Sequence, residues 1–270
     1  MRILVTGSTG FIGTRLMETP QIASRGQGLQ VSCWPESTTR DLLDEGTWAS
    51  GLDDAMPDVV IHLAWRTTGS PDYEYDPANH RWAEATVALA RYVASRGARF
   101  VGVGSLIEED PRVQSEYARA KRVASEGLEE LASQGRDVVW IRPSWVFDFA
   151  SLRPRVLASR AQADSTGTTF QLRTPGERLD FVHVTDVARG VAAIATSDML
   201  GTVALASGRA LTVGQFIQAF DDWRGGSDAP PPVTGADHTT SEARRAQASA
   251  TPTSTDWAPY ETERLLGRYW

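Results

Sequence analysis

The 270-residue chain holds one cysteine, Cys33, so it can close no internal disulfide and assemble no thiolate zinc site. Its four histidines are scattered without metal-ligand spacing, and no metal is expected. Lysine is nearly missing: Lys121 is the single one among 27 basic residues. An ammonium is a compact point charge and a guanidinium a broad planar fork, so the one lysine retained marks a place where arginine cannot substitute. Basic clusters are missing as well, and the formal net charge is -7. The electrostatic footprint of a nucleic-acid or anionic-membrane binder is therefore absent, and neither is an expected partner. Long apolar runs are not found either. Ile3-Leu4-Val5 gives way at once to Thr6-Gly7, too short for a signal peptide or a membrane span, so the chain reads as cytoplasmic and as beginning at its first strand. What remains is an ordinary globular profile, 41% hydrophobic and 23% charged, long enough for a nucleotide domain with a smaller lobe.

Apolar runs at Ile3 to Thr6, Leu29 to Trp34, Val59 to Ala64, Phe100 to Val103 and Val138 to Ile141 read as buried parallel strands. Between them lie helix-period segments, Phe11 to Glu18, a short one near Thr47 to Leu52, Pro77 to Ser95 and Ser115 to Ser133. This alternation predicts an α/β fold, a doubly wound Rossmann-like parallel sheet over residues 1-150. From Ser151 the pattern turns mixed: a helix from Leu152 to Ala163, strands around Thr168 to Leu172 and Phe181 to Val184, a helix from Thr185 to Thr196, a strand from Thr202 to Ala206 and a helix from Thr212 to Trp223. Residues 151-270 are read as a small C-terminal substrate lobe with elements that rejoin the sheet. Gly, Ser, Pro, Thr and Ala dominate about 224-255, where a flexible segment is expected, and Asp256 to Trp270 is read as a docked terminal helix. No internal repeat is visible.

Directly after the first strand comes Thr6-Gly7-Ser8-Thr9-Gly10-Phe11-Ile12-Gly13, opening a helix. Glycines there allow a tight turn, close backbone approach to a pyrophosphate and close helix packing, while the helix N-terminus offers amides and positive dipole to phosphate. Tyr117 and Lys121 stand four apart on one helix face. An ammonium and a cationic nicotinamide near a phenol make its phenolate easier to form, which suits proton exchange near neutral pH. Ser105 follows Phe100-Val101-Gly102-Val103-Gly104, at the carboxyl edge of the sheet where open α/β sheets bind ligands. His62 and His183 are read as hydrogen-bonded structural residues, Cys33 as a small buried hydrophobe, and Glu108-Glu109-Asp110 beside Pro111 as a solvated turn.

With these residues the sequence resembles the extended short-chain dehydrogenase/reductase family, in its nucleotide-sugar epimerase, dehydratase and ketoreductase branch. The resemblance takes in the glycine loop, Asp41-Leu42 at an adenine-contacting position, the cofactor-lining Asp58 to Ala64, the Ser105, Tyr117 and Lys121 set, Arg142 to Phe147, and Asp180 to Ala188. It implies hydride transfer at a sugar carbon, with Tyr117 as acid/base, Lys121 holding the nicotinamide ribose and lowering the tyrosine pKa, and Ser105 bonding the substrate oxygen. Gly7, Thr9, Gly10, Phe11, Ile12, Gly13, Leu63, Ala64 and Pro143 would join Tyr117 and Lys121 around the cofactor. A nucleotide-diphosphate sugar is the implied partner, and a homodimer the implied assembly.

Departures from the family pattern shape the expectation. Leu179 stands where the family has an arginine before Asp-Phe, with Arg178 one step earlier, so Arg153, Arg155 and Arg178 are the candidates for a diphosphate. Eleven residues separate Ser105 from Tyr117, a short segment that trims the pocket wall, and Trp82 takes the place of the family's helix asparagine. Trp65, Trp82 and Trp145 are the tryptophans best placed for a substrate platform. Leu106 and Ile107 follow Ser105 where dehydratases carry acids, which disfavours dehydration. After the second strand, Val31-Ser32-Cys33-Trp34-Pro35 has no carboxylate until Glu36, favouring NADP over NAD, with Ser32 and Arg40, and Arg15 as an outsider, to receive a 2′-phosphate. Three functions stay open: an NADP-dependent reductase of a keto-deoxysugar nucleotide, an NAD-dependent nucleotide-sugar 4-epimerase, and an inactive nucleotide-binding sensor.

Overall fold

The computed structural model describes residues 1-23, 28-34, 41-67, 72-226 and 257-270. Arg40, Glu36 and nearly all of the segment expected to be flexible lie outside the described residues. Strand β1 (Arg2–Thr6) leads to helix α1 (Phe11–Glu18), which ends at Thr19 before Pro20 opens the single turn α2 (Pro20–Ala23). Then follow β2 (Gln30–Trp34), α3 (Glu45–Ala55), β3 (Val59–His62), α4 (Ala78–Ser95), β4 (Arg99–Val103), α5 (Glu116–Ser133) and β5 (Val138–Pro143). Side-chain caps fix the helix starts: the Asp44 carboxylate accepts from the Gly46 amide at α3, and the Ser115 hydroxyl from the Ala118 amide at α5. The second half adds β6 (Trp145–Phe147), α6 (Arg155–Thr166), β7 (Arg178–His183), α7 (Val184–Ala195), β8 (Gly201–Leu205), β9 (Ala210–Thr212), α8 (Val213–Arg224) and α9 (Tyr260–Leu266).

The main sheet is parallel throughout, in the order β2-β1-β3-β4-β5-β8. Its inner strands β1, β3, β4 and β5 are buried on both faces, so alternate residues feed two separate cores. Ile3, Val5, Ile61, Val101 and Ile141 pack with Leu16 of α1 and Val187 and Val191 of α7. Leu4, Val60, Phe100 and Trp140 pack with Trp48, Leu89 and Leu128 of α3, α4 and α5. A small sheet, β6-β7-β9, carries the third core, where Phe147, Phe149, Phe181, Phe216 and Phe220 meet Leu266 and Tyr269 of the C-terminal segment.

Two expectations for the second half are corrected. Thr168 to Leu172 forms no strand: Phe170 and Leu172 reach the third core from irregular chain, so the apolar alternation there reflects burial and not pairing. The helix expected from Leu152 begins at Arg155, because Pro154 excludes Arg153 from the helical region. Among the described residues no helix is long and apolar enough to cross a membrane.

Candidate active site

The loop between β1 and α1 is built for close approach. Gly7 has φ +70°, and a Cβ there would lie 2.6 Å from the Ala64 backbone nitrogen, so only glycine lets the turn sit against Leu63-Ala64 at the exit of β3. At Gly13 a Cβ would fall 2.1 Å from the Gly7 carbonyl, so α1 packs flush on the turn. Gly10 is the N-cap of α1; no side chain caps it and no acid lies in the first turn, which leaves the helix's positive end facing the cleft with exposed Thr9 and half-buried Phe11 and Ile12 around it. This cradle fits a dinucleotide's pyrophosphate.

The adenosine side is less complete. Ser32 stands opposite Leu4, two positions before the end of β2, with its hydroxyl 3.5 Å from the Ile3 carbonyl, so it is not brought to the carboxyl edge. Asp41 closes a turn by accepting from the Leu43 amide, and half-buried Leu42 packs on the core that holds Trp34 and Trp48. Arg15 is committed elsewhere, paired with Glu18 and, at 3.4 Å, with Asp148 just after β6. Pro143 closes β5, buried opposite Leu205 of β8.

Ser105, Tyr117 and Lys121 come together at the carboxyl end of β4. Ser105 is the N-cap of a 3-10 turn, Leu106–Glu109, its hydroxyl accepting from the Ile107 amide at 3.4 Å. Lys121 is 3% exposed; its Nζ donates to the Val103 carbonyl at 2.8 Å and lies 3.6 Å from the centre of the Trp65 ring. Burial lowers the Lys121 pKa to about 7, against the opposing pull of Glu108. The lowered tyrosine pKa expected of this pair is not what the protein displays in this state. Burial, then Tyr73 and Glu108, push the Tyr117 phenol up, and its hydrogen bond with Ser105 only partly opposes them. The Tyr117 phenol is therefore neutral.

An aromatic wall surrounds the set. Tyr117 meets the rings of Tyr73 at 5.5 Å and Trp65 at 6.1 Å edge to face, and Trp82 stacks behind Trp65 at 6.5 Å. The Trp65 indole is fixed by Asn79, whose side-chain oxygen accepts from Nε1 at 2.8 Å while its amide donates to the Tyr73 and Asp76 carbonyls. Asn79, 3% exposed, is thus the buried asparagine of α4, one turn before Trp82. Its place in the first helical turn after Pro77 was the available signal. Trp145 is 42% exposed on β6 and does not join the wall. Arg153 lies over the Phe11 ring at 6.0 Å, and with Arg155 it acts on the Tyr73 phenol, which burial pushes up to about 12. Both arginines are exposed and near Tyr73, whereas Arg178 donates to the Ala210 carbonyl of β9.

Glu108 corrects the expectation of a solvated acidic turn. It is 3% exposed, and its carboxylate accepts from the Ser105 amide (3.1 Å), Trp140 Nε1 (2.7 Å) and Arg142 Nε (2.5 Å). Burial pushes its carboxyl up while Arg142 and Trp140 pull it down. A signal was present in Ser105-x-x-Glu108, the spacing of a reciprocal cap, which the structure forms. His62 bridges Thr6 and Thr86 and is held neutral by burial, its pKa lowered to about 3, and His183 caps α7.

A glycine cradle after β1, a serine at the end of β4 and a Tyr-Lys pair on α5 thus stand together at the carboxyl edge of a doubly wound, Rossmann-like sheet. Residues 3–204 match the model of the NAD dependent epimerase/dehydratase family, and the chain belongs to that family. It is 29% identical to a UDP-glucose 4-epimerase of Vibrio cholerae over 182 residues, 56% of this chain and 55% of that protein. It is 24% identical to a ceramide reductase of Caulobacter vibrioides over 219 residues, 77% of this chain and 65% of that one. The matched stretch thus spans between half and two thirds of those relatives' own lengths. Its fold is similar to that of a dTDP-4-dehydrorhamnose reductase from Clostridium acetobutylicum, with a TM-score of 0.67, 18% identity and coverage of 87% of this chain and 84% of that one.

Proposed function

We propose that the protein is an NADP-dependent reductase acting on a keto-deoxysugar carried by a nucleoside diphosphate. The observation that carries this reading is the convergence of Ser105, Tyr117 and Lys121 at the carboxyl end of β4, with the Tyr117 phenol hydrogen-bonded to Ser105 and one helical turn from Lys121. Reduction of a ketone needs a proton donor at the oxygen, and a phenol placed beside Ser105 at that oxygen would supply one. Ser105 and Tyr117 would bracket the carbonyl oxygen; as the alkoxide develops, the Tyr117 proton moves to it, and the phenolate left behind is met by Lys121 before solvent returns the proton. The dinucleotide, when bound, supplies the hydride to the carbonyl carbon. Gly7, Gly10 and the first turn of α1 would hold its pyrophosphate, Leu63-Ala64 would flank it, and Lys121 would meet its ribose. Arg153 and Arg155, exposed and near Tyr73, suit the diphosphate of the substrate. The described part of β2, Gln30-Val31-Ser32-Cys33-Trp34, offers no carboxylate to a ribose, which supports NADP.

Epimerisation at C4 is the second reading, favoured by the likeness to the Vibrio cholerae epimerase. Mixing enzyme and NADPH with a nucleoside-diphosphate 4-keto-6-deoxysugar separates the two. Stoichiometric loss of NADPH absorbance with formation of the deoxysugar is expected, and Tyr117→Phe should lower kcat by about 10²–10⁴-fold, the range for a general acid. Retained NAD with interconversion of C4 epimers and no net oxidation would replace reduction by epimerisation. Binding without turnover of either kind would leave a sensor.

A further inference from the structure

The Glu108 carboxylate lies beneath the reacting groups with no role in the proton transfer itself. It sits on Gly104, where a Cβ would fall 2.7 Å from Glu108 Oε2 and 2.4 Å from Trp140 Nε1, so a side chain at 104 would expel it. Through the Ser105 amide it fixes the backbone that presents the serine hydroxyl. The Trp140 indole links it to Lys121: the N–H donates to Glu108, and the ammonium lies 5.4 Å from the ring centre. Arg142 closes the outer side, dividing its guanidinium among Glu108, Glu109, Glu129 and the Ser125 hydroxyl.

We propose that Glu108 is a positioning residue that acts twice, clamping Ser105 through its amide and supplying the buried negative charge that keeps Lys121 an ammonium beside Tyr117. The inference rests on the proposed roles of those three residues, and its charge role is tested without turnover. Lys121 has few other groups to answer to. It meets the Val103 carbonyl from β4, the Trp65 face from the exit of β3, Tyr117 on its own helix, and His62, which is neutral above about pH 3. Around Tyr117 stand Tyr73 and Glu74 from the 72-79 segment. Glu109 reaches the cluster through Arg142, and Glu129 through Arg142 and the Ser125 hydroxyl. A purely structural Glu108 would tie the 3-10 turn to β5 and leave the charge of Lys121 unchanged.

Because Lys121 is the single lysine of the chain, protein grown on lysine labelled with ¹³C at Cε gives one side-chain resonance, whose shift against pH reads the ammonium directly. The untagged or lysine-free-tagged full chain is titrated without substrate. A midpoint near 7 is expected for the native protein, and for Glu108→Gln a midpoint at least about one unit lower, the scale of losing an opposite charge at close range. An unchanged midpoint in folded E108Q overturns the charge role. Glu108→Asp keeps the charge but withdraws it by one methylene, and it carries the test if E108Q does not fold. Its midpoint should stay within about half a unit of the native one while kcat falls about tenfold with KM for the dinucleotide kept, as loosening of a positioned group predicts. A midpoint in E108D that drops by a unit or more, or an unaltered kcat, overturns the proposal. Should Tyr117→Phe retain full turnover, the assigned reaction fails while the Lys121 titration still reports on Glu108.

Discussion

Lys121 shows how one residue answers to two opposite pH dependences. Its Nζ gives up water for one carbonyl and an indole face, which burial charges against the protonated form. The folded pKa, about 7, lies below the ordinary lysine value of 10.5, so between those limits the unfolded chain binds the proton and the folded chain does not. Stability contributed at this site therefore rises with pH from about 7 to about 10 and is lost on returning to neutrality. Function runs the other way, since dinucleotide capture and phenolate stabilisation need the ammonium, and kcat/KM should fall as pH climbs through the same midpoint. Urea unfolding of dinucleotide-free protein at pH 7 and pH 9, compared with Lys121→Met, checks the sign: the native protein should gain on the variant between the two pH values. Equal differences at both pH values would mean that Lys121 titrates normally. A compact ammonium suits the site between the Val103 carbonyl and the Trp65 face better than a broad planar fork, in keeping with the one lysine in a chain otherwise supplied with arginine.

Among the described elements, α9 is latched to α7 by a buried carboxylate. Asp186, 0% exposed in the first turn of α7, accepts from the Thr262 amide and hydroxyl, both at 2.7 Å, and from the Glu261 amide. The Thr262 hydroxyl oxygen in turn accepts from the His183 amide at 2.8 Å. Thr262→Val keeps the shape but leaves Asp186 one donor short and the His183 amide without its acceptor, which should cost about 1–3 kcal/mol. Chemical denaturation reads that loss, and hydrogen exchange should show α9 opening before the main sheet. An unchanged midpoint of unfolding would mean that the Phe216, Leu266 and Tyr269 packing holds α9 without the polar latch. The sequence carried little warning of this. Asp186-Val187-Ala188 is visible as a motif, but its partner lies 76 residues on, beyond a compositionally biased stretch, and only the folded chain brings the two together.

At the scale of the whole molecule, legibility followed the range of the interaction. Strands buried on both faces, such as Val59–His62 and Arg99–Val103, announce themselves as apolar runs, and the glycine loop is read locally because its sterics act within a few residues. Ser105, Tyr117 and Lys121 were readable as positions, whereas the state of Tyr117 was not, since its burial comes from Trp65 and Tyr73 arriving from other elements. Glu108 was misread because its partners Trp140 and Arg142 lie on β5, more than 30 residues away. β6 and β9, three residues each, carry too little pattern to stand out from the turns beside them. The same reasoning separates three arginines that look equivalent in sequence. In a molecule of net charge -7, an anionic substrate needs a local reversal of field at the cleft. Arg153 and Arg155 supply it from the start of α6, near Tyr73, while Arg178 spends its guanidinium on β9. Arg153→Gln and Arg155→Gln should therefore each raise KM for a diphosphate-bearing substrate, by about tenfold for a lost charge-assisted contact, with kcat kept, and Arg178→Gln should leave KM near its native value. Steady-state kinetics at fixed ionic strength decides. A rise confined to Arg178→Gln would move the diphosphate to the β7 edge, and no rise in any of the three would favour a substrate without a diphosphate.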